Sequence, residues 1–194
     1  QPTAASDSRA MVLEFMGIDA GLIALNAGIA GGADVILIPE IPYSIKSIAK
    51  HIENLRTKGR NHALIVVAEA VKKENGKKAT VKYVDGEVRL GGIGNYIGDE
   101  IYKLTNSETR VTVLGHVQRG AQPTHRDRLI ASAFGVYAVD LIAKKKFNRV
   151  VVWKNRGVQD LPLSQVAGYS KTIQKNDPLI KVARGLGIYI GEVV

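Results

Sequence analysis

Arg110-Val-Thr-Val-Leu-Gly115-His116-Val-Gln-Arg119-Gly120 is the stretch that indicates most directly how this chain folds. A β-branched strand ends in a glycine, and the turn beyond it presents His116 and Arg119, with Arg110 near the start of the strand. Ligands of α/β proteins sit at strand ends, and clustered arginine and histidine suit a phosphate or a carboxylate. The stretch therefore predicts an α/β fold with an anion site at the end of a strand.

The rest of the chain extends this pattern, because short apolar runs alternate with helical periodicity. This alternation predicts an α/β fold with a largely parallel, Rossmann-like three-layer sheet and flanking helices. Ser44 is expected to cap a helix whose apolar stripe recurs every three or four residues. The predicted strands cover residues 10–15, 35–38, 63–68, 110–114 and 150–153, and the predicted helices cover 19–30, 44–57, 91–104 and 123–142, with short helices after 153.

Residues 72–92 change in character and leave two interpretations open. Asn75-Gly76 and Asp85-Gly86 are turn dipeptides, and alternating apolar residues flank the second of them. A hairpin with a tight turn is the local prediction, and an exposed excursion is the alternative. The segment Gly91-Gly-Ile-Gly94 lacks the lysine and hydroxyl residue of a phosphate loop, so we interpret it as a helix entry.

Composition narrows the class of protein. The 194 residues carry a net charge of +9 but no cysteine, and the 27 basic residues are scattered, with Lys144-Lys145-Lys146 as the one tight cluster. We therefore expect no disulfides, no nucleic-acid partner and no membrane segment, and we expect a cytoplasmic protein. The four histidines lack ligand spacing, so no metal site is predicted. The chain lacks an initiator methionine, which suggests processing or excision from a longer protein.

Functional side chains are expected where the predicted strands end. Met16-Gly17, Glu40, Glu69 and His116 with Arg119 each follow a predicted strand, and parallel strands bring their carboxyl ends to one edge of the sheet. Each glutamate alone is more simply a solvated loop residue or a partner of a helix N-terminus. The whole set favours a shared binding crevice.

These segments resemble the 6-phosphofructokinase family over nearly the whole chain. The shared motifs, in the family's order, include Glu14-Phe-Met-Gly17, Ala27-Gly-Ile-Ala-Gly-Gly-Ala-Asp34, Ile38-Pro-Glu40, Val67-Ala-Glu69, Glu108-Thr-Arg110 and Gly115-His-Val-Gln-Arg-Gly120. The resemblance implies phosphoryl transfer from ATP or pyrophosphate to fructose 6-phosphate. Residues 1–120 would form the sugar-phosphate-binding domain, and residues 121–194 would partly pack on a preceding half of the enzyme.

The resemblance also implies roles for individual residues. His116 and Arg119 would hold the sugar phosphate, Glu69 a sugar hydroxyl, and Met16 and Gly17 would line the sugar site. Arg9 and Arg110 would reach into the phosphate site of a neighbouring subunit, which implies a homo-oligomer. Two or three cations around a dianion are chemically reasonable.

The resemblance begins partway through the family's sequence, so its glycine-rich nucleotide loops and catalytic-base segment would precede Thr3. We therefore expect a substrate-binding half without catalytic residues or cofactor of its own, although Mg²⁺ with ATP or pyrophosphate is implied for the complete enzyme. The chain is expected to be inactive by itself. Ile18 and Asp7 replace the family's usual arginine and histidine. A non-catalytic binding module or scaffold, natural or engineered, is accordingly the alternative.

Overall fold

A computed structural model describes residues 9–82 and 86–191, so Asp7 and the turn residue Asp85 lie outside the described residues. Its central sheet has four parallel strands in the order β2-β3-β1-β6. The strands are β1 (Ala10–Phe15), β2 (Val35–Leu37), β3 (Ala63–Ala68) and β6 (Thr109–Val113). The predicted parallel α/β sheet is therefore confirmed.

Helices flank this sheet and connect its strands. They are α1 (Leu22–Ala30), α2 (Ile45–Thr57), α3 (Ile93–Thr105) and α5 (Pro178–Gly185). Helix α1 contacts β2 and β3, whereas α3 contacts β1, β6 and α2. The approach of α1 to the sheet requires Gly28, because a Cβ there would lie 2.6 Å from the side chain of Ile36. All six residues of β3 are buried, as its continuous apolar run predicts.

Helix α2 forms as its sequence predicts. The Ser44 hydroxyl accepts a hydrogen bond from the Ser47 N–H and so satisfies one of the donors at the helix start. The apolar stripe of the helix is buried at Ile45, Ile48 and Ile52. Burying side chains of this size contributes about 1.5–3 kcal/mol each before entropy is counted.

A hairpin precedes α3, which agrees with the first interpretation of residues 72–92. Its strands are β4 (Thr80–Lys82) and β5 (Val88–Leu90), paired antiparallel and separate from the main sheet. The backbone N–H of Gly91 donates to the carbonyl oxygen of Ala79 at 3.2 Å. This bond ties the base of the hairpin to the entry of α3.

The chain divides into two compact units, one of residues 1–118 with 171–194 and the other of residues 119–170. The sequence predicted that residues 121–194 would group together, but residues 171–194 belong with the first unit. The reason is hydrogen bonding at the edge of the sheet: the Tyr189 N–H donates to Asp34 O at 2.9 Å, and the Ile36 N–H donates to Tyr189 O at 2.8 Å. Helix α5 also buries Ile180 and Ala183.

The second unit contains α4 (His125–Ala143), β7 (Arg149–Lys154) and β8 (Gly157–Pro162). Thr124 and Asp127 form a reciprocal capping box at the start of α4. Strand β8 corrects the prediction of short helices after residue 153. Asn155 and Arg156 both have positive φ, at 51° and 62°, and two such residues make the tight turn that joins antiparallel strands. Within the described residues, no helix has the length and apolar character needed to cross a membrane.

Candidate functional site

A cleft of about 480 Å³ opens at the carboxyl edge of the parallel sheet. Three of the side chains predicted at strand ends, Met16, Glu69 and His116, line it together. The other lining residues are Glu14, Phe15, Ile18, Val81, Leu90, Gly91, Gly92, Asn95, Val113 and Gly115. The parallel topology thus brings distant parts of the sequence to one site.

The loop after β1 is held by side chains that follow the neighbouring strands. The Met16 N–H donates to Gln118 Oε1 at 2.7 Å, across 102 positions of sequence. The N–H groups of Gly17 and Ile18 both donate to Glu69 Oε1, at 2.9 and 2.8 Å. The Glu69 carboxylate and the Gln118 amide therefore hold this wall of the cleft in place. The two N–H groups that Glu69 accepts also fix the orientation of its side chain.

Ile18 gives the cleft an unusual wall. Its φ of 51° lies in the left-handed region, which a β-branched side chain rarely adopts. The side chain is 70% exposed and lines the cleft together with Val81 and Leu90 of the hairpin. An exposed apolar group thus stands where the family resemblance implies a cation.

Glu14 lies at the base of the cleft and is only 2% exposed. Its Oε1 accepts the Gly92 N–H at 3.2 Å, and its Oε2 accepts the Gly94 N–H at 2.8 Å. Burial raises the pKa of Glu14 and outweighs the opposite effect of these two bonds, and the charge of Glu69 raises it further. The glycine segment is thus the entry to α3, as predicted, and an internal carboxylate receives its N–H groups.

Glu40 does not line the cleft, which corrects the convergence expected for all the strand ends. Both of its carboxylate oxygens accept the N–H of Gly21, the N-cap of α1, at 3.1 Å. Its Oε1 also accepts the Ile173 N–H at 3.1 Å. Glu40 therefore binds the N-terminus of a helix, which is the simpler of the two interpretations of a glutamate that follows a strand.

Arg9 and Arg110 lie at the opposite edge of the sheet from His116. Arg9 precedes β1 and Arg110 is the second residue of β6, and both pair with Glu108, at 2.9 and 2.6 Å. Strands rise about 3.3 Å per residue, so Arg9 and Met16 are roughly 20 Å apart. The hydrogen bond from Arg9, followed by that from Arg110, lowers the pKa of Glu108. One copy of the chain therefore does not bring these arginines to its own cleft.

Arg119 and the remaining histidines take different positions. Arg119 is exposed and is the first residue of the second unit, to which the exposed His125 also belongs. His51 is half-buried, and its ring centroid lies 6.1 Å from that of Tyr189. Throughout residues 9–82 and 86–191, no three His, Asp or Glu side chains are grouped as ligands for a metal ion.

The carboxylates of the cleft do not fit a divalent cation as they are arranged. Both oxygens of Glu14 and one oxygen of Glu69 accept backbone N–H groups. Since Mg²⁺ takes oxygen ligands in a nearly ideal octahedron, oxygens already aimed at amide protons are poor ligands. We therefore assign no part of the cleft to the magnesium ion that the family resemblance implies for the complete enzyme.

Sequence reasoning missed five residues that shape the cleft. Gln118 and Asn95 are polar residues whose positions became clear only when distant segments met. Val81 and Leu90 enter through the hairpin, which the pattern predicted without placing it beside the cleft. Glu14 did have a local signal, because it is an acidic residue within the apolar strand Met11-Val-Leu-Glu-Phe15.

Comparison with known proteins agrees with this fold. Residues 1–142 match the family model described as "Phosphofructokinase". The chain is 53% identical over 190 residues to ATP-dependent 6-phosphofructokinase 1 of Nostoc sp., covering 98% of this chain and 53% of that protein. It is 52% identical over 189 residues to ATP-dependent 6-phosphofructokinase 1 of Synechocystis sp., covering 97% and 52%. The chain thus spans about half the length of the curated relatives it matches.

Solved structures give the same result. A phosphofructokinase from Saccharomyces cerevisiae superposes with a TM-score of 0.70 at 30% identity, over 95% of this chain and 23% of that one. A pyrophosphate-dependent phosphofructokinase from Marinobacter aquaeolei superposes with a TM-score of 0.72 at 22% identity, over 97% and 47%, and supports the fold alone. By the family match over residues 1–142, the parallel sheet and the motifs at its carboxyl edge, this chain belongs to the phosphofructokinase family.

Proposed function

We propose that this chain is the fructose 6-phosphate-binding portion of a phosphofructokinase. The observation that carries the proposal is the cleft, where Met16, Glu69 and His116 converge from three strands of the sheet. A sugar presents hydroxyl groups together with apolar carbon faces, and the cleft offers a carboxylate beside an apolar wall. Its chemistry therefore suits a sugar.

The phosphate of such a ligand needs cations, and the part of the cleft that the structure describes is lined by no lysine or arginine. We assign the phosphate to His116 and Arg119 of the same chain, and to Arg9 and Arg110 of a neighbouring copy. The location of Arg9 and Arg110 at the far edge of the sheet supports this division. Charge-assisted hydrogen bonds to a dianion are each worth about 1.5–3 kcal/mol.

Calorimetric titration of the chain with fructose 6-phosphate tests the proposal, with fructose as the ligand that lacks the phosphate. We expect saturable binding of the phosphate ester and much weaker binding of fructose. His116→Ala and Arg119→Ala should each weaken binding roughly ten- to a hundredfold, from the loss of one such bond. His125→Ala is the matched control, since His125 is exposed in the second unit and should leave binding unchanged.

The contribution from a neighbouring copy has its own test. Arg110→Ala and His116→Ala chains should each bind weakly alone, whereas their mixture should recover part of the sites. A mixed assembly restores one complete site, because the Arg110→Ala chain keeps its own His116 and receives Arg110 from its partner. If mixing restores nothing while the chain is oligomeric, Arg110 does not act across a subunit boundary.

We further propose that these 194 residues bind without transferring a phosphoryl group. The family resemblance places the nucleotide loops and the catalytic base in segments that these residues do not contain. Incubation with fructose 6-phosphate and either ATP or pyrophosphate should therefore yield no fructose bisphosphate. Turnover that scales with the concentration of the purified chain would contradict this part of the proposal.

A binding module or scaffold derived from this fold is the second candidate, and Ile18 is the observation that favours it. An exposed isoleucine in the cleft makes that wall apolar where a phosphate ligand would benefit from a cation. If the chain is such a module or scaffold, calorimetric titration with fructose 6-phosphate gives no saturable heat, and Arg119→Ala leaves the titration unchanged.

A further inference from the structure

Glu14 is a buried carboxylate to which the proposed function assigns no role. Strand β1 alternates in burial, and Glu14 shares the face of the buried Ala10 and Val12. A carboxylate in such a position is costly unless its oxygens are hydrogen-bonded. The partners of Glu14 therefore indicate why an acidic residue occupies the strand.

These partners are at the start of α3, which has no cap of its own. Its N-cap is Gly92, with a φ of 81° and no side chain to accept a hydrogen bond. The first N–H groups of a helix need acceptors from outside the helix. Glu14 supplies them from the neighbouring strand, with one oxygen on the Gly92 N–H at 3.2 Å and the other on the Gly94 N–H at 2.8 Å.

The close approach of Gly94 to the strand is what makes this cap possible. A Cβ at position 94 would lie 3.0 Å from Glu14 Oε2 and 3.1 Å from a side-chain carbon of Val111. Contacts this short would push the helix away from the sheet. Glycine at position 94 and glutamate at position 14 therefore form a matched pair.

The entry to α3 forms one wall of the cleft, through Gly91 and Gly92 just before the helix and Asn95 in its first turn. We propose that Glu14 is a positioning residue, whose carboxylate caps α3 from within the sheet and thereby sets this wall of the ligand cleft. The inference rests on the proposed function only in taking the cleft as the ligand site. Glu14 itself need not touch the ligand.

Glu14→Gln is the variant that tests this inference, because the amide keeps the size but leaves one N–H donor facing an –NH₂ group. Asp34→Asn is the matched control. Asp34 is also a buried carboxylate, 5% exposed, and it accepts the Leu64 N–H at 2.8 Å, but it lies just before β2 and does not line the cleft. Both variants should lose global stability.

Amide hydrogen exchange of the full chain, without ligand, provides the first measurement. In Glu14→Gln, exchange at Gly92 and Gly94 should rise at least tenfold more than the average for the α2 amides. In Asp34→Asn the increase at Gly92 and Gly94 should match that average. Equal protection of these two amides in wild type and Glu14→Gln would overturn the inference.

Binding of fructose 6-phosphate is the second measurement, made at a temperature where all variants are folded. Glu14→Gln should weaken binding about tenfold, whereas Asp34→Asn should bind as the wild type does. Unchanged binding in Glu14→Gln would show that the wall does not matter to the ligand and would overturn the inference. If the wild type does not bind, the proposed function fails, and the exchange measurement still decides whether Glu14 holds the wall.

Discussion

Replacing Glu40 tests the distinction between a structural glutamate and a ligand-binding one. Its carboxylate is the acceptor for the N–H groups of Gly21 and Ile173, at 3.1 Å each. Both donor residues are buried and Glu40 is half-buried, so Glu40→Ala leaves two N–H groups with restricted access to water. An unsatisfied buried donor costs about 1–3 kcal/mol, and distances of 3.1 Å favour the lower part of that range.

Two donors at about 1–2 kcal/mol each give a loss of about 2–4 kcal/mol in the free energy of unfolding. For a chain of this size, each kcal/mol lowers Tm by about 2–4 °C. Glu40→Ala should therefore melt at least about 4 °C lower, measured by circular dichroism and checked by urea unfolding. Glu40→Gln keeps one good acceptor and should lose about half as much.

Glu53→Ala is the control for removing a negative charge. Glu53 is half exposed and pairs with Arg56 on the same helix, an arrangement worth at most about 0.5 kcal/mol.

The affinity of folded Glu40→Ala for fructose 6-phosphate should equal that of the wild type. An unchanged Tm with clearly weaker binding would refute the reasoning, because Glu40 would then act on the ligand rather than on α1 and the Ile173 segment.

Three further changes have expected outcomes. Ile18→Gly and Arg156→Gly should each raise the free energy of unfolding by up to about 1 kcal/mol, measured by urea titration. Both residues have a left-handed backbone, which costs a residue with a Cβ about 1–2 kcal/mol, and both side chains are exposed, so little packing is lost. Alanine at either position should give no such gain. Burial lowers the pKa of His51 below its ordinary value, against the attraction of Asp34, so the folded state takes up its proton less readily than the unfolded state. The contribution of His51 is therefore complete above about pH 6.5 and declines as the pH falls towards the lowered pKa. In thermal melts, His51→Phe should lose less stability than the wild type when the pH is lowered from 7 to 5.5. Equal losses would contradict a lowered pKa for His51.

Much of the fold was predictable because local patterns decide it. The apolar run of β3 and the capped stripe of α2 need no distant partner to be recognised. Strand β8 was not predictable in this way. Its turn uses Asn155 and Arg156 with positive φ, and an arginine in such a turn gives no sequence signal.

The candidate site was predictable only in part. Strand ends located Met16, Glu69 and His116, because parallel strands place their carboxyl ends at one edge. The same rule included Glu40, which instead caps α1. A carboxylate after a strand has two possible partners, a ligand or a helix N-terminus, and only the three-dimensional arrangement distinguishes between them.

By itself, the sequence determined the class of fold, the family and the edge of the sheet where ligands would lie, because periodicity and motif order are properties of the chain. The tertiary structure decided which of those residues share the cleft. It separated Arg110 from His116 by the length of β6, turned Glu14 and Glu40 to helix N-termini, and brought Gln118 to Met16 across 102 positions. Hydrogen-bond partners so distant in sequence are chosen by the packing of the sheet, and no local pattern encodes that choice.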